Sequence, residues 1–236
     1  MKKQHYLSFI NDEDFLRNVE AVLSAAQSAF DHAEDKLYSN TIDPFSAVFD
    51  ASRQGISLEA WLQQEKSRQI QKTMQNALGT FHQNLIGSIS GWKSLPTGSL
   101  IDVVNKEKLI IAEIKNKYNT TKGNHMKNIY DDILSSLESD YKGFTGYYVE
   151  VIPHTLEPYD KPFTPSDNVT KKNREVDKRI RKIDGKSFYA LASGRPNALK
   201  ELYYKLPKAI SSLKGTSLDY ILDDGLFEEL FARAYV

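Results

Sequence analysis

Residues 100 to 123 read LIDVVNKEKLIIAEIKNKYNTTKG, and inside the apolar run Leu109 to Ile114 stands a carboxylate, Glu113, followed at once past Ile114 by an amine, Lys115. Charge in a strand-like run costs stability unless it faces water, pairs, or binds something. Side chains alternate along a strand, so Leu109, Ile111, Glu113 and Lys115 share one face. If Asn105 to Lys108 is the loop of a hairpin, Val104 faces Leu109 and Asp102 faces Ile111. Glu113 then lies diagonally across from Asp102 on the same face, roughly 7–8 Å away between backbones. Two carboxylates so placed, with an ammonium beside them, suit a hard divalent cation of the Mg²⁺ kind, which takes one or two carboxylates plus water and phosphate oxygens. The alternative is an ion pair at the strand end, and spacing alone leaves both open. The triplet acid-any-Lys also occurs at Glu34/Lys36, Asp140/Lys142 and Asp184/Lys186, but only Glu113/Lys115 sits in an apolar strand with an acid on the strand before it.

Those residues need a scaffold, and the chain is long enough to supply one. Its 236 residues are 40% hydrophobic and 26% charged, with 31 basic and 31 acidic side chains in balance. This is the composition of a globular protein without a uniformly basic coat. Cysteine is absent, which excludes disulfides, thiol catalysis and cysteine-ligated zinc. No apolar stretch is long enough for a signal peptide or a membrane span, so the expected compartment is the cytoplasm.

Residues 1–90 read as mainly helical. Phe15, Val19, Val22, Leu23, Ala26 and Phe30 recur at helical spacing behind Asn11 or Asp12 as a cap, and Ile70, Met74, Leu78, Phe81 and Leu85 form a second stripe within a helix over 57–90. The period then shortens. Strands are expected at Ser99–Val104, Leu109–Lys115, Gly143–Ile152 and Ser187–Ala192. Helices are expected at Asn124–Ser139, Pro196–Leu213 and Leu218–Ala234, with a long loop from Pro153 to about Thr170. The expected architecture is α/β: one domain, 1–236, with a mixed central β-sheet flanked by helices in a catalytic core over 95–215, a helical part before it and a C-terminal helix over 216–236.

Asp102, ten intervening residues and then EIK is similar to the PD-(D/E)xK nuclease motif, with Ile101 where the motif's name places proline. EIKNKYNTTKG (Glu113–Gly123), GTFHQNLIGSISGW (Gly79–Trp92) and KIDGKSFYALASG (Lys182–Gly194) resemble type II restriction endonucleases of the group that cuts GGNCC. The resemblance implies a restriction-endonuclease-like core and Mg²⁺-dependent hydrolysis of phosphodiester bonds in double-stranded DNA, leaving 5′-phosphates. Asp102 and Glu113 would ligate the metal together with the backbone carbonyl of Ile114, and Lys115 would orient the attacking water or stabilise charge on the phosphate. A palindromic site implies a homodimer, and a cognate DNA methyltransferase is the expected genetic companion in a bacterial restriction-modification system. A repair or mobile-element nuclease on the same scaffold, or a non-catalytic DNA-binding module, are the alternative readings.

Around that centre, Asn116, Lys117, Asn119, Thr120, Thr121, Lys122, Asn124 and Lys127 are candidates for phosphate or base contacts. From Lys161 to Lys186 nine Lys or Arg face four Asp or Glu, which makes Lys171, Lys172 and Arg174 further DNA-binding candidates, the alternative being a charged face with internal ion pairs. His82, Gln83 and Glu65, on the helix before the hairpin, are candidates for polar support of the metal site.

Overall fold

The computed structural model describes residues 6–39, 41–121, 123–167 and 170–235, without the side chains of Lys36, Tyr38, Ser39, Gly123 and Asn124. Two compact units emerge. One takes in the residues up to Val19 and those from Phe81 onward; the other is Glu20–Thr80.

The second unit is helical. It holds the later turns of α1 (Asp12–Asp31), α2 (Ala33–Ser39), α3 (Pro44–Gln54) and most of α4 (Leu58–Gly87). Asn11 caps α1, its side-chain oxygen accepting the Asp14 N–H at 2.8 Å. Asp43 caps α3 through the N–H groups of Phe45 and Ser46, and Gly55 ends it in the left-handed conformation. Ala47, Ala51 and Trp61 form a small core there. The helical stripes are only partly buried: Phe15, Val19, Phe81 and Leu85 are interior, whereas Phe30 and Met74 are exposed.

The first unit carries a six-stranded mixed sheet in the order β1-β2-β3-β4-β6-β5. The strands are β1 (Trp92–Ser94), β2 (Val103–Asn105), β3 (Ile110–Lys117), β4 (Thr145–Ile152), β5 (Asp160–Pro162) and β6 (Ile180–Asp184). β3, β4 and β6 run parallel, and the rest are antiparallel to their neighbours. A single 3₁₀ turn, Tyr118–Thr120, links β3 to α5 (Gly123–Glu138). One face of the sheet buries Val104, Ile111, Tyr148 and Ile180 under Ile129, Tyr130, Ile133 and Leu137 of α5. Gly146 allows that approach, because a Cβ there would lie 2.2 Å from Cγ2 of Ile133. The opposite face carries Tyr147, which meets Phe188 of α6 (Gly185–Ser193), as Trp92 also does. α7 (Ala198–Lys214), α8 (Asp219–Leu222) and α9 (Gly225–Ala234) follow.

Several expectations are corrected. Ser187–Ala192 is helix, not strand, because Asp184 caps it by accepting the Ser187 N–H at 2.9 Å. The charged segment after Thr170 supplies β6 instead, Ile180 and Ile183 providing its buried anchors. The long loop contains β5, and β1 adds an edge strand before β2. Ser99, Leu100, Ile101 and Asp102 stand outside β2, and the last helix is broken between α8 and α9.

Candidate active site

The hairpin that presents Glu113 turns one residue later than its composition suggests. The turn is Lys106–Leu109, held by the Asn105 side-chain oxygen accepting the Lys108 N–H at 2.8 Å, with Leu109 left-handed at φ 54°. Leu109 is therefore a turn residue rather than the first residue of the strand. Both ends of the loop move by one, so the register moves by two: Val104 faces Ile111 and Val103 faces Ala112. A shift of two keeps every side chain on its face.

Beyond Val103 the ladder breaks, and Asp102 takes over. Its backbone N–H donates to the Ala112 carbonyl at 3.0 Å, and its carboxylate Oδ2 accepts the Ile114 N–H at 2.7 Å. Asp102 thus holds β3 on either side of Glu113. The two carboxyl groups come close enough to interact directly, while Lys115 Nζ reaches Glu113 Oε1 at 2.5 Å. Burial raises Asp102 above the usual aspartate range, against the Ile114 N–H and the Lys115 charge. Burial and then the Asp102 charge push Glu113 up to about 7, with Lys115 opposing. The side chain of Gln83, from the last turns of α4, lies against the Asp102 carboxylate and favours its ionised form. Two shielded carboxylates thus share one ammonium, and the group as a whole carries a deficit of positive charge.

The other candidates divide. Lys117 ends β3 exposed, Asn116 is half-buried beside it, and Asn119 and Thr120 are exposed on the 3₁₀ turn, where Thr120 Oγ1 donates to the Lys117 carbonyl at 2.7 Å. Thr121 is buried near the Tyr148 hydroxyl. Lys122 and the side chain of Asn124 lie outside the described residues. Lys127 pairs with Asp167 at 3.2 Å. Lys171 and Lys172 are exposed, whereas Arg174 pairs with Asp131 at 2.6 Å, Arg179 with Asp177 at 2.6 Å and Arg181 with Asp160 at 2.6 Å. The arginines of the basic segment are thus ion-paired, Arg179 within the segment and Arg174 and Arg181 with acids of α5 and β5. His82 faces Tyr189, with Nδ1 and the hydroxyl 2.8 Å apart, and Glu65 in the helical unit is bound by Arg68 at 2.5 Å and by Gln69.

Two cross-strand rows escaped sequence reasoning. In the parallel register Glu113 faces Tyr148, which faces Lys182, and Lys115 faces Glu150, which faces Asp184. Glu150 is 1% exposed, ion-paired with Lys182 at 2.8 Å and accepting the Tyr159 hydroxyl at 2.6 Å. The signal that singled out Glu113, an acid inside an apolar strand, is equally present in GYYVEVI.

Comparison with known proteins identifies the family. Residues 7–214 match the Eco47II restriction endonuclease family. The chain is 41% identical over 230 residues to the type II restriction enzyme Eco47II of Escherichia coli, covering 96% of this chain and 92% of that protein. It is 35% identical over 241 residues to the type II restriction enzyme Sau96I of Staphylococcus aureus, covering 97% and 89%.

Proposed function

The chain belongs to the Eco47II restriction endonuclease family, and from that premise we propose that Asp102, Glu113 and Lys115 form the centre with which this type II restriction endonuclease cuts double-stranded DNA. The observation that carries the assignment is the grip of Asp102 on both neighbours of Glu113, which brings two shielded carboxylates together beside a single ammonium.

That charge deficit, on hard oxygen donors, fits a divalent cation of the Mg²⁺ class. Asp102 and Glu113 would hold it, with the Ile114 carbonyl as a third donor. Such an ion lowers the pKa of a water molecule and offsets charge growing on a phosphate. The rest is the work of the side chains. Asp102 keeps its orientation through the Ile114 N–H and through Gln83, so its carboxylate does not have to be reorganised when substrate arrives. Lys115 exchanges its contact with Glu113 for the attacking water or a phosphate oxygen, carrying positive charge to where negative charge develops. Asn116, Lys117, Asn119 and Thr120, at the exit of β3, are placed to contact the DNA backbone or base edges. The exposed Lys171 and Lys172 add to the attraction for phosphate.

One such centre cuts one strand. Cleavage of both strands at a palindrome therefore calls for a homodimer, with 5′-phosphate ends, a GGNCC-type site and a partner methyltransferase protecting the host. The names of the two relatives, both type II restriction enzymes, favour this reading over repair or mobile-element cleavage and over a non-catalytic module.

The test is incubation of the purified protein with unmethylated phage DNA in Mg²⁺ or EDTA. Discrete fragments that need Mg²⁺ and vanish with Asp102→Ala are expected, with the mapped ends giving the site. Intact DNA alongside folded protein and Mg²⁺ would defeat the proposal.

A further inference from the structure

The side chain beside Glu113 on the next strand has no assigned purpose. Tyr148 is fully buried, and its ring stacks on Phe163 with centroids 4.8 Å apart and planes 23° from parallel. Among the described residues its hydroxyl makes no well-formed hydrogen bond, although Thr121 and the Glu150 carboxylate lie near enough to act on it. A buried hydroxyl left so costs about 1–3 kcal/mol, and phenylalanine would fill the same space without that cost. Glu150 Oε1 also lacks a hydrogen bond among the described residues, although Lys182 Nζ lies 2.8 Å from it, and Glu150 Oε2 accepts the Tyr159 hydroxyl at 2.6 Å. The register sets Tyr148 directly against Glu113 and on the same face of the sheet. The hydroxyl is near enough for the Glu113 carboxylate to act on it, and a phenol O–H is a donor.

We infer that Tyr148 is a positioning residue whose hydroxyl donates to a water brought in as an oxygen ligand of a divalent cation at Asp102 and Glu113. The inference rests on the reading of that pair as the metal site. Phe163 fixes the ring, and the Glu150–Lys182–Tyr159 cluster keeps the far side of the hydroxyl polar without capturing it. Groups that orient metal ligands in this way are worth about 10–100-fold in metal affinity or activity when removed.

The test is Mn²⁺ binding to the DNA-free protein, followed through the paramagnetic resonance signal of the free ion, together with melting in EDTA. Tyr148→Phe is expected to weaken Mn²⁺ binding about 10-fold and to leave the metal-free melting temperature equal or higher. Thr121→Val should leave Mn²⁺ affinity unchanged. Unaltered affinity in Tyr148→Phe, while Asp102→Ala abolishes binding, overturns this inference and spares the metal site. Unaltered binding in Asp102→Ala overturns both. A metal-free Tyr148→Phe that melts several degrees lower, or a Thr121→Val that reproduces its loss of affinity, assigns the hydroxyl to the fold and overturns the inference as well.

Discussion

Asp102 brackets Glu113: its backbone N–H bonds the residue before, Ala112, and its carboxylate bonds the N–H of the residue after, Ile114. The contact that ends the β2–β3 ladder is thereby the one that sets two acids together. Burial makes both carboxyl groups harder to ionise than in water, and at Glu113 the Asp102 charge adds to the effect.

Function and stability should therefore part company at Glu113. Glu113→Gln keeps the shape and removes one of two like charges. DNA cleavage in Mg²⁺ should fall at least about 100-fold, since even groups that only support metal ligands matter that much. The melting temperature in EDTA at pH 8 should stay the same or rise. Paired cleavage assays and thermal melts check this, and a marked drop in melting temperature would mean that the acid serves the fold.

Lys115 carries the compensating charge, with Nζ 2.5 Å from Glu113. Lys115→Met leaves the carboxyl pair uncompensated, so metal-free stability at pH 8 should fall by about 1–3 kcal/mol. Added Ca²⁺ restores positive charge, and its stabilising effect should be larger in the variant than in the parent. Melting curves with and without Ca²⁺ decide the matter; equal gains would show that the ammonium and the cation do not serve the same acids.

His82 gives the fold its own pH dependence. Burial lowers its pKa to about 4 from the ordinary 6.5, and its partner is Tyr189. Between those values the unfolded chain binds a proton that the folded protein refuses. The contribution is thus full above about pH 6.5 and lost as the pH falls toward 4, amounting to at most about 3 kcal/mol. His82→Gln keeps a polar partner for Tyr189 but cannot be protonated, and it should flatten this part of the stability profile. Denaturant titrations at pH 8 and pH 5 measure it; an unchanged slope would place the sensitivity in another group.

The candidate site was legible because its residue pattern is local. A two-residue period, an acid two places from a lysine and an acid on the preceding strand survive a misjudged turn, since a register shift of two preserves the face. The Asn105 side chain, which moves that turn by accepting the Lys108 N–H, has no signature in hydrophobic periodicity. The rows through Tyr148–Lys182 and Glu150–Asp184 depend on parallel pairing between β4 and β6, which begin 35 residues apart at Thr145 and Ile180, and such pairing has no short-range signal. SFYALA reads as strand because six apolar and small residues suit either structure. What decides it is the Asp184–Gly185 pair just upstream, a helix cap and a residue without a side chain.

Gly185 is the sharper half of that pair. A Cβ at this position would lie 2.2 Å from the Val151 carbonyl oxygen, 2.6 Å from its Cα and 2.8 Å from its carbonyl carbon. All three are backbone atoms of β4, so no rotamer change relieves the clash, and either α6 lifts or the strand bends. Overpacking that displaces backbone costs about 1–3 kcal/mol or more. Val151 follows Glu150 directly, and α6 also carries Phe188 and Tyr189, the partners of Trp92 and His82. Gly185→Ala should thus destabilise the protein by at least about 2 kcal/mol and loosen both sets of contacts, without altering any group that touches DNA or metal. Denaturant unfolding monitored by tryptophan fluorescence would report it, since Trp92 packs edge-on against Phe188 with ring centroids 5.5 Å apart. A variant as stable as the parent would show that α6 does not pack on β4 this closely.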